Sequence, residues 1–155
     1  HLNMRSYNKA KSYLIEAVAA DSTYAPASYN LAYSYSIEKK LDSAMYHAQK
    51  AYDHYEIDKL KADAASMVGI ILSDKKQFED AINWLLTSDA LAPGNFYVYE
   101  YLLIAYLNLN KMAEANLICK NLYYYDYKSP RIFNSIINAY SDLKKQAALQ
   151  SFLKE

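Results

Sequence analysis

A chain of 155 residues, 53% hydrophobic with only two glycines and three prolines, can bury a core of its own and carries little turn-forming material, which excludes disorder and predicts an all-α domain. Seventeen basic residues balance seventeen acidic ones and lie scattered, so the basic stripe of a nucleic-acid binder is missing, and no apolar run reaches the roughly 18 residues of a membrane span. A single cysteine excludes an intrachain disulfide framework and any multi-cysteine metal site.

In chain order, helical periodicity runs through "SYNKAKSYLIEA", "PASYNLAYSYSI", "KLDSAMYHAQKA", "ADAASMVGIILS", "QFEDAINWLLTS", "YVYEYLLIAYLN", "KMAEANLICKNL" and "PRIFNSIINAYS". Short polar turns such as "EKKLD", "DKKQ" and "LNK" join them in pairs. Superimposing the first, third, fifth and seventh segments aligns Ala10, Ala44, Ala81 and Ala115 at spacings of 34, 37 and 34. A weaker copy, "KKQAALQSFLKE", places Ala148 a further 33 residues on. A two-helix period near 34 is the mark of a repeat architecture, in which each unit buries its apolar face against its neighbours. The three-residue excess between Ala44 and Ala81, within "HYEIDKLKAD", predicts a longer second helix or a loosened joint near residues 56–61.

The pattern resembles the tetratricopeptide repeat family over almost the whole chain. One unit carries Ser28, Leu31, Ala32, Tyr35, Ala44, Ala48 and Ala51 at the family's signature places; the next carries Ala65, Val68, Gly69, Leu72, Ala81, Leu85, Ser88 and Pro93. A third carries Tyr99, Leu102, Leu103, Tyr106, Ala115, Cys119 and Leu122, and a last one opens at Pro130 with Phe133, Ile136, Ile137 and Tyr140. Leu103 and Ile137 depart from the pattern, standing where the family prefers Gly or Ala. The resemblance implies a right-handed α-solenoid of antiparallel helix pairs, with a partial repeat at 1–24, repeats at 25–61, 62–95 and 96–129, and a partial repeat at 130–155. Partial units at both ends imply a longer parent chain, since an open solenoid end exposes apolar surface. Small residues such as Ala32, Gly69, Ala44, Ala81 and Ala115 let the two backbones of a unit approach, where overpacking would cost about 1 to 3 kcal/mol.

Eighteen tyrosines raise the question of an aromatic surface, most sharply in "LYYYDYKSP" at 122–130. In the repeat frame Leu122, Tyr123 and Tyr125 face inward, Tyr124 faces outward, and Asp126 with Tyr127 forms an exit turn. Ser129 then caps a helix that Pro130 opens. The stretch reads as a joint between repeats.

Stacked pairs of this kind line a concave face with their first helices. At 100° per residue, the arc opposite the signature places holds Tyr29, Tyr33 and Ile37, then Ser66 and Ile70, then Tyr97, Glu100, Ile104 and Asn108, then Arg131, Asn134 and Asn138. Asp63, Asp74 and Asp142 give the same arc an acidic bias, and it holds no lysine, so the lysine- and asparagine-rich clamp of the chaperone-binding members is disfavoured. The expected partner is a protein, as an amphipathic helix or extended peptide with apolar anchors and Lys or Arg among its side chains.

Chemistry finds little support. His47 and His54 stand seven apart where a helical zinc pair needs about four, and no third ligand accompanies them. Cys119 occupies a core place as a small hydrophobe, Trp84 reads as packing between units, and Glu79 with Asp80 favours a helix start. Phosphate loops, nucleophile elbows and HExxH are absent, so neither catalysis nor a cofactor is expected. The expectation is a protein-interaction scaffold, without nucleic acid or a membrane span, in a soluble segment of cytoplasm or periplasm. The alternatives are a homodimerisation element, in which Tyr29, Tyr33, Tyr97 and Tyr101 would be buried between chains, and a regulatory segment of a larger bacterial signalling protein.

Overall fold

The computed structural model describes residues 2–125, 130–142 and 150 of the chain. These form α1 (Leu2–Ala20), α2 (Ala25–Ile37), α3 (Leu41–His54), α4 (Asp58–Asp74), α5 (Phe78–Leu91), α6 (Phe96–Asn108), α7 (Met112–Tyr125) and α8 (Pro130–Asp142). Local chemistry sets several ends. Asp21 holds the backbone and hydroxyl of Thr23 at the α1–α2 joint, Pro26 stands in the first turn of α2, and the Asn95 side chain accepts from the Tyr97 amide to cap α6.

One turn geometry recurs inside each pair. Lys39, Lys76 and Asn110 adopt left-handed backbone with φ of 58°, 62° and 58°. Their amides, and those of the residues after them, fold back onto carbonyls of the preceding helix: Lys40 onto Tyr35, Gln77 onto Leu72, Lys111 onto Tyr106. This is the reversal that ends a helix while satisfying its last carbonyls, and glycine is its usual residue. The near absence of glycine from the sequence leaves the position to Lys and Asn.

α2, α4, α6 and α8 form an inner layer in which each helix touches the next, whereas α3, α5 and α7 stand outside and no comparable contact joins α3 to α5 or α5 to α7 among the described residues. The core divides along the chain. Ala32, Ala44, Ala48, Val68, Ile71 and Ala81 fill one part; Leu85, Val98, Leu102, Leu103, Leu107, Leu122 and Tyr140 fill the other. The aligned alanines 44, 81 and 115 are fully buried, while Ala10 is exposed, α2 being the one extensive neighbour of α1 among the described residues. Ion pairs tie successive turns together: Lys39 to Asp74 at 3.0 Å and Lys75 to Asp42 at 2.7 Å.

The extra residues between Ala44 and Ala81 lengthen a first helix, not a second one. α3 ends at His54 and has 14 residues, as do α5 and α7, while α4 has 17 against 13 in α2, α6 and α8. The added turn begins at Asp58, whose acid suits a helix start, and Lys61 lies 4.8 Å from the centre of the Tyr52 ring on α3. An added turn that keeps its hydrogen bonds and gains a contact costs less than three residues in an open joint.

Candidate functional site

The inner-layer helices expose an arc that their neighbours do not cover. On it Tyr33 and Ile37 are each 56% exposed and Tyr97 is 51% exposed. Tyr29, Ile70, Glu100, Ile104 and Asn108 are half-buried, and Asn134 and Asn138 are exposed on α8. Tyr29 meets the edge of Tyr55 at 6.3 Å, and burial, with the Asp63 carboxylate nearby, pushes its hydroxyl above the ordinary tyrosine range. Burial also raises Asp63, against the pull of Lys59. Apolar and acidic groups thus share one stretch of surface from α2 to α6.

Three of the residues expected on this arc have polar groups already engaged. Ser66 is buried, contrary to the expectation of a lining residue, and its hydroxyl donates to the Asp63 carbonyl at 2.8 Å. It turns inward because α4 is covered on more of its circumference than α2 or α6, being central in the inner layer. Glu100 accepts from the Ser135 hydroxyl at 2.7 Å, so it fastens α6 to α8. The Asn108 amide donates to the Ile104 carbonyl one turn back, which occupies its donor within its own helix. The Arg131 side chain lies outside the described residues.

Tyr101 adds to the arc. Half-buried one turn beyond Tyr97, it has its hydroxyl raised by burial, with the Asp74 and Glu100 carboxylates contributing. The four-residue spacing from Tyr97 is the signal that places it on the same face. Lys39, in a turn, also reaches this surface and pairs with Asp74, which offsets one of its negative charges.

Reactive groups elsewhere are held quiet. Cys119 is fully buried, and desolvation pushes its thiol up to about 11, so no thiolate nucleophile is available at neutral pH. Tyr140, also fully buried, donates to the Asn116 side chain at 2.8 Å. His47 stacks flat on Tyr35 at 5.5 Å, and burial lowers its pKa. No group of three His, Cys, Asp or Glu side chains that could hold a metal occurs among the described residues, and none of their helices is long and apolar enough to cross a membrane. Within "LYYYDYKSP", Leu122 is buried and Pro130 opens α8; the side chains of 123–125 and residues 126–129 lie outside the described residues, as does Ala148.

An all-helical array of stacked antiparallel pairs with a continuous inner layer is a helical solenoid of tetratricopeptide-repeat type. Solved structures agree. A crystal structure of MamA superposes with a TM-score of 0.79 at 16% identity, covering 98% of this chain and 87% of that one. YrrB, described as a TPR protein with an unusual peptide-binding site, gives 0.75 at 18% identity over 98% and 77%. The pilF protein of Pseudomonas aeruginosa gives 0.74 at 21% identity over 97% and 68%. At these identities the likeness is one of fold. No family model matches the chain, and no curated protein matches it.

Proposed function

We propose that this chain is a non-catalytic protein-interaction module that holds a peptide or helix of a partner protein along its inner arc. The observation that carries the reading is that Tyr33, Ile37 and Tyr97 stay more than half exposed on helices otherwise rich in buried side chains. Large apolar groups grouped on one face mark a binding surface, and tyrosine supplies contact area at low entropic cost. The acidic groups beside them, Asp63 and Glu100, suit a partner with basic residues next to its apolar anchors. Peptide binding in YrrB, a protein of the same fold, supports a ligand of this class.

A pull-down from the source organism tests it, comparing the chain with a Tyr33→Ala, Tyr97→Ala, Ile104→Ala variant that folds equally well by circular dichroism. The expected result is a partner captured by the first and lost by the second. A partner held equally by both would move the site off the inner arc.

Exposed apolar side chains on α1 favour a second reading, self-association. Tyr13 is 57% exposed and Ile15 47% exposed on a helix whose one extensive neighbour among the described residues is α2. Light scattering decides it: a monomer mass at high concentration removes this reading.

A further inference from the structure

We infer that the cleft between α3 and α5, on the face opposite the inner arc, is a second binding site that takes an arginine side chain from a partner segment. The cleft encloses about 300 Å³ between α3, the end of α4 and the start of α5. That is the low end of ligand sites, with room for one long side chain and some water. Its floor is apolar, made of Met45, Leu72 and the indole of Trp84. The Tyr52 ring meets that indole at 4.9 Å and 86°, which fixes its orientation.

The rim is polar and open to solvent. Gln49, Gln77, Asp80 and Asn83 line it, and among the described residues none of these four side chains has a hydrogen-bond or ion-pair partner. Lys75 also lines the cleft but is engaged by Asp42, so the Asp80 carboxylate is left without a counter-charge there. Asp80 and Trp84 stand four apart on α5, which places carboxylate and indole one turn apart on one face. A guanidinium is the group that meets both at once: its plane stacks on an indole, and its five N–H groups reach a carboxylate and neighbouring side-chain carbonyls. A lysine ammonium is a point charge that cannot stack in this way, and an anion would meet Asp80 as a like charge.

Repeat packing does not demand this composition. The equivalent places at the next joint, between α5 and α7, hold Ile82, Leu86, Leu117 and Ile118 where this cleft has Met45, Gln49, Asn83 and Trp84. An aliphatic strip serves at those four places; the acid recurs there as Glu114 and an aromatic ring as Tyr106 in the place of Leu72, so what belongs to the α3–α5 cleft is the indole among three side-chain amides.

Trp84 is the sole tryptophan of the chain, so its emission reports on this cleft alone. The test titrates the intact chain with acetyl-Gly-Arg-Gly-amide and with the same peptide carrying citrulline, the neutral isostere of arginine. The expected result is a saturable change in Trp84 emission with the arginine peptide and none with citrulline. D80N, at an exposed position, should weaken the arginine response about tenfold, and the Tyr33→Ala, Tyr97→Ala variant should keep it. No saturable change with arginine, an equal response to citrulline, unchanged binding by D80N, or loss in the Tyr33→Ala, Tyr97→Ala variant would each overturn the assignment. Because the inner-arc variant enters only as a control, failure here leaves the proposed function standing, and the reverse also holds.

Discussion

The two halves of the solenoid solve the same packing problem differently. In α2–α5 the helices of a pair meet over Ala32, Ala44 and Ala48, then over Gly69 and Ala81, and they approach closely along most of their length. In α6–α8 Leu103 and Ile137 occupy the corresponding places, and α6 approaches α7, and α7 approaches α8, far less extensively. The first half is held by backbone proximity, the second by the bulk of Leu102, Leu103, Leu107, Leu122 and Tyr140. One repeat frame therefore supports two kinds of core, distinguished by the size of a single side chain on the first helix.

Opposite substitutions at that place test the contrast. Leu103→Ala should cost about 2 to 5 kcal/mol, because Leu103 is fully buried where α6 and α7 approach less extensively than α4 and α5 do, which leaves the backbone less able to close the space. A loss under about 1 kcal/mol by chemical denaturation would show that the second core is not built on bulk. At the corresponding Gly69 the cost comes from adding atoms. A Cβ there would stand 2.7 Å from Leu85 Cγ and 2.9 Å from its Cδ2, so Gly69→Ala should cost about 1 to 3 kcal/mol. Combining it with Leu85→Ala should give less than the sum of the two single losses. Additive losses would mean that the glycine is not there for close approach.

The halves should also differ in their response to pH. Burial and Lys50 depress the His47 pKa below 6.5, so the folded state resists the proton that the unfolded state accepts. The contribution of neutral His47 is present above 6.5 and is lost as pH falls toward its lower folded value. Glu38, held at about 2 by Lys11 and Lys40, keeps its charge through that window. In the second half the Cys119 thiol is raised from 9.0 to about 11 and Tyr140 is raised as well, so stability present below 9.0 is lost as pH rises through the folded values. Hydrogen exchange followed by NMR should therefore show α2–α3 loosening first in mild acid and α6–α8 first in alkali. Equal loosening of both regions in each condition would remove the distinction.

The smallest effect addresses what the halves share. Lys76 sits in left-handed backbone at φ 62°, so Lys76→Gly should raise stability by about 0.5 kcal/mol, read as a higher denaturation midpoint. Asn110→Gly should gain less, because asparagine tolerates that conformation.

Much of the fold is legible in the sequence because small residues at a 34-residue period leave few ways for two helices to meet. Ala44, Ala81 and Ala115 all end fully buried, and Cys119 with them. Spacing alone does not say where inserted residues go, since a longer α3, a loose joint and a longer α4 add the same number of residues. The contact of Lys61 with Tyr52, a tertiary property, decides for α4. The surface is less legible. Helical angle separates the exposed Tyr33 and Tyr97 from the core, but the burial of Ser66 depends on how many neighbours α4 has, and the tie from Glu100 to Ser135 joins residues 35 apart. Trp84 reads as packing from its apolar surroundings in sequence, and only the fold brings Gln49 and Met45 of α3 beside it.

The asymmetry between layers has a mechanical consequence. Inner helices lean on one another in an unbroken row, while among the described residues α3 and α5 meet only through side chains such as Tyr52 and Trp84, and no extensive contact joins α5 to α7. Such an array behaves as a coil spring with its stiff side inward: small changes of pitch open or close the gaps of the outer layer without breaking a helix. A load applied along the axis would be stored in curvature first.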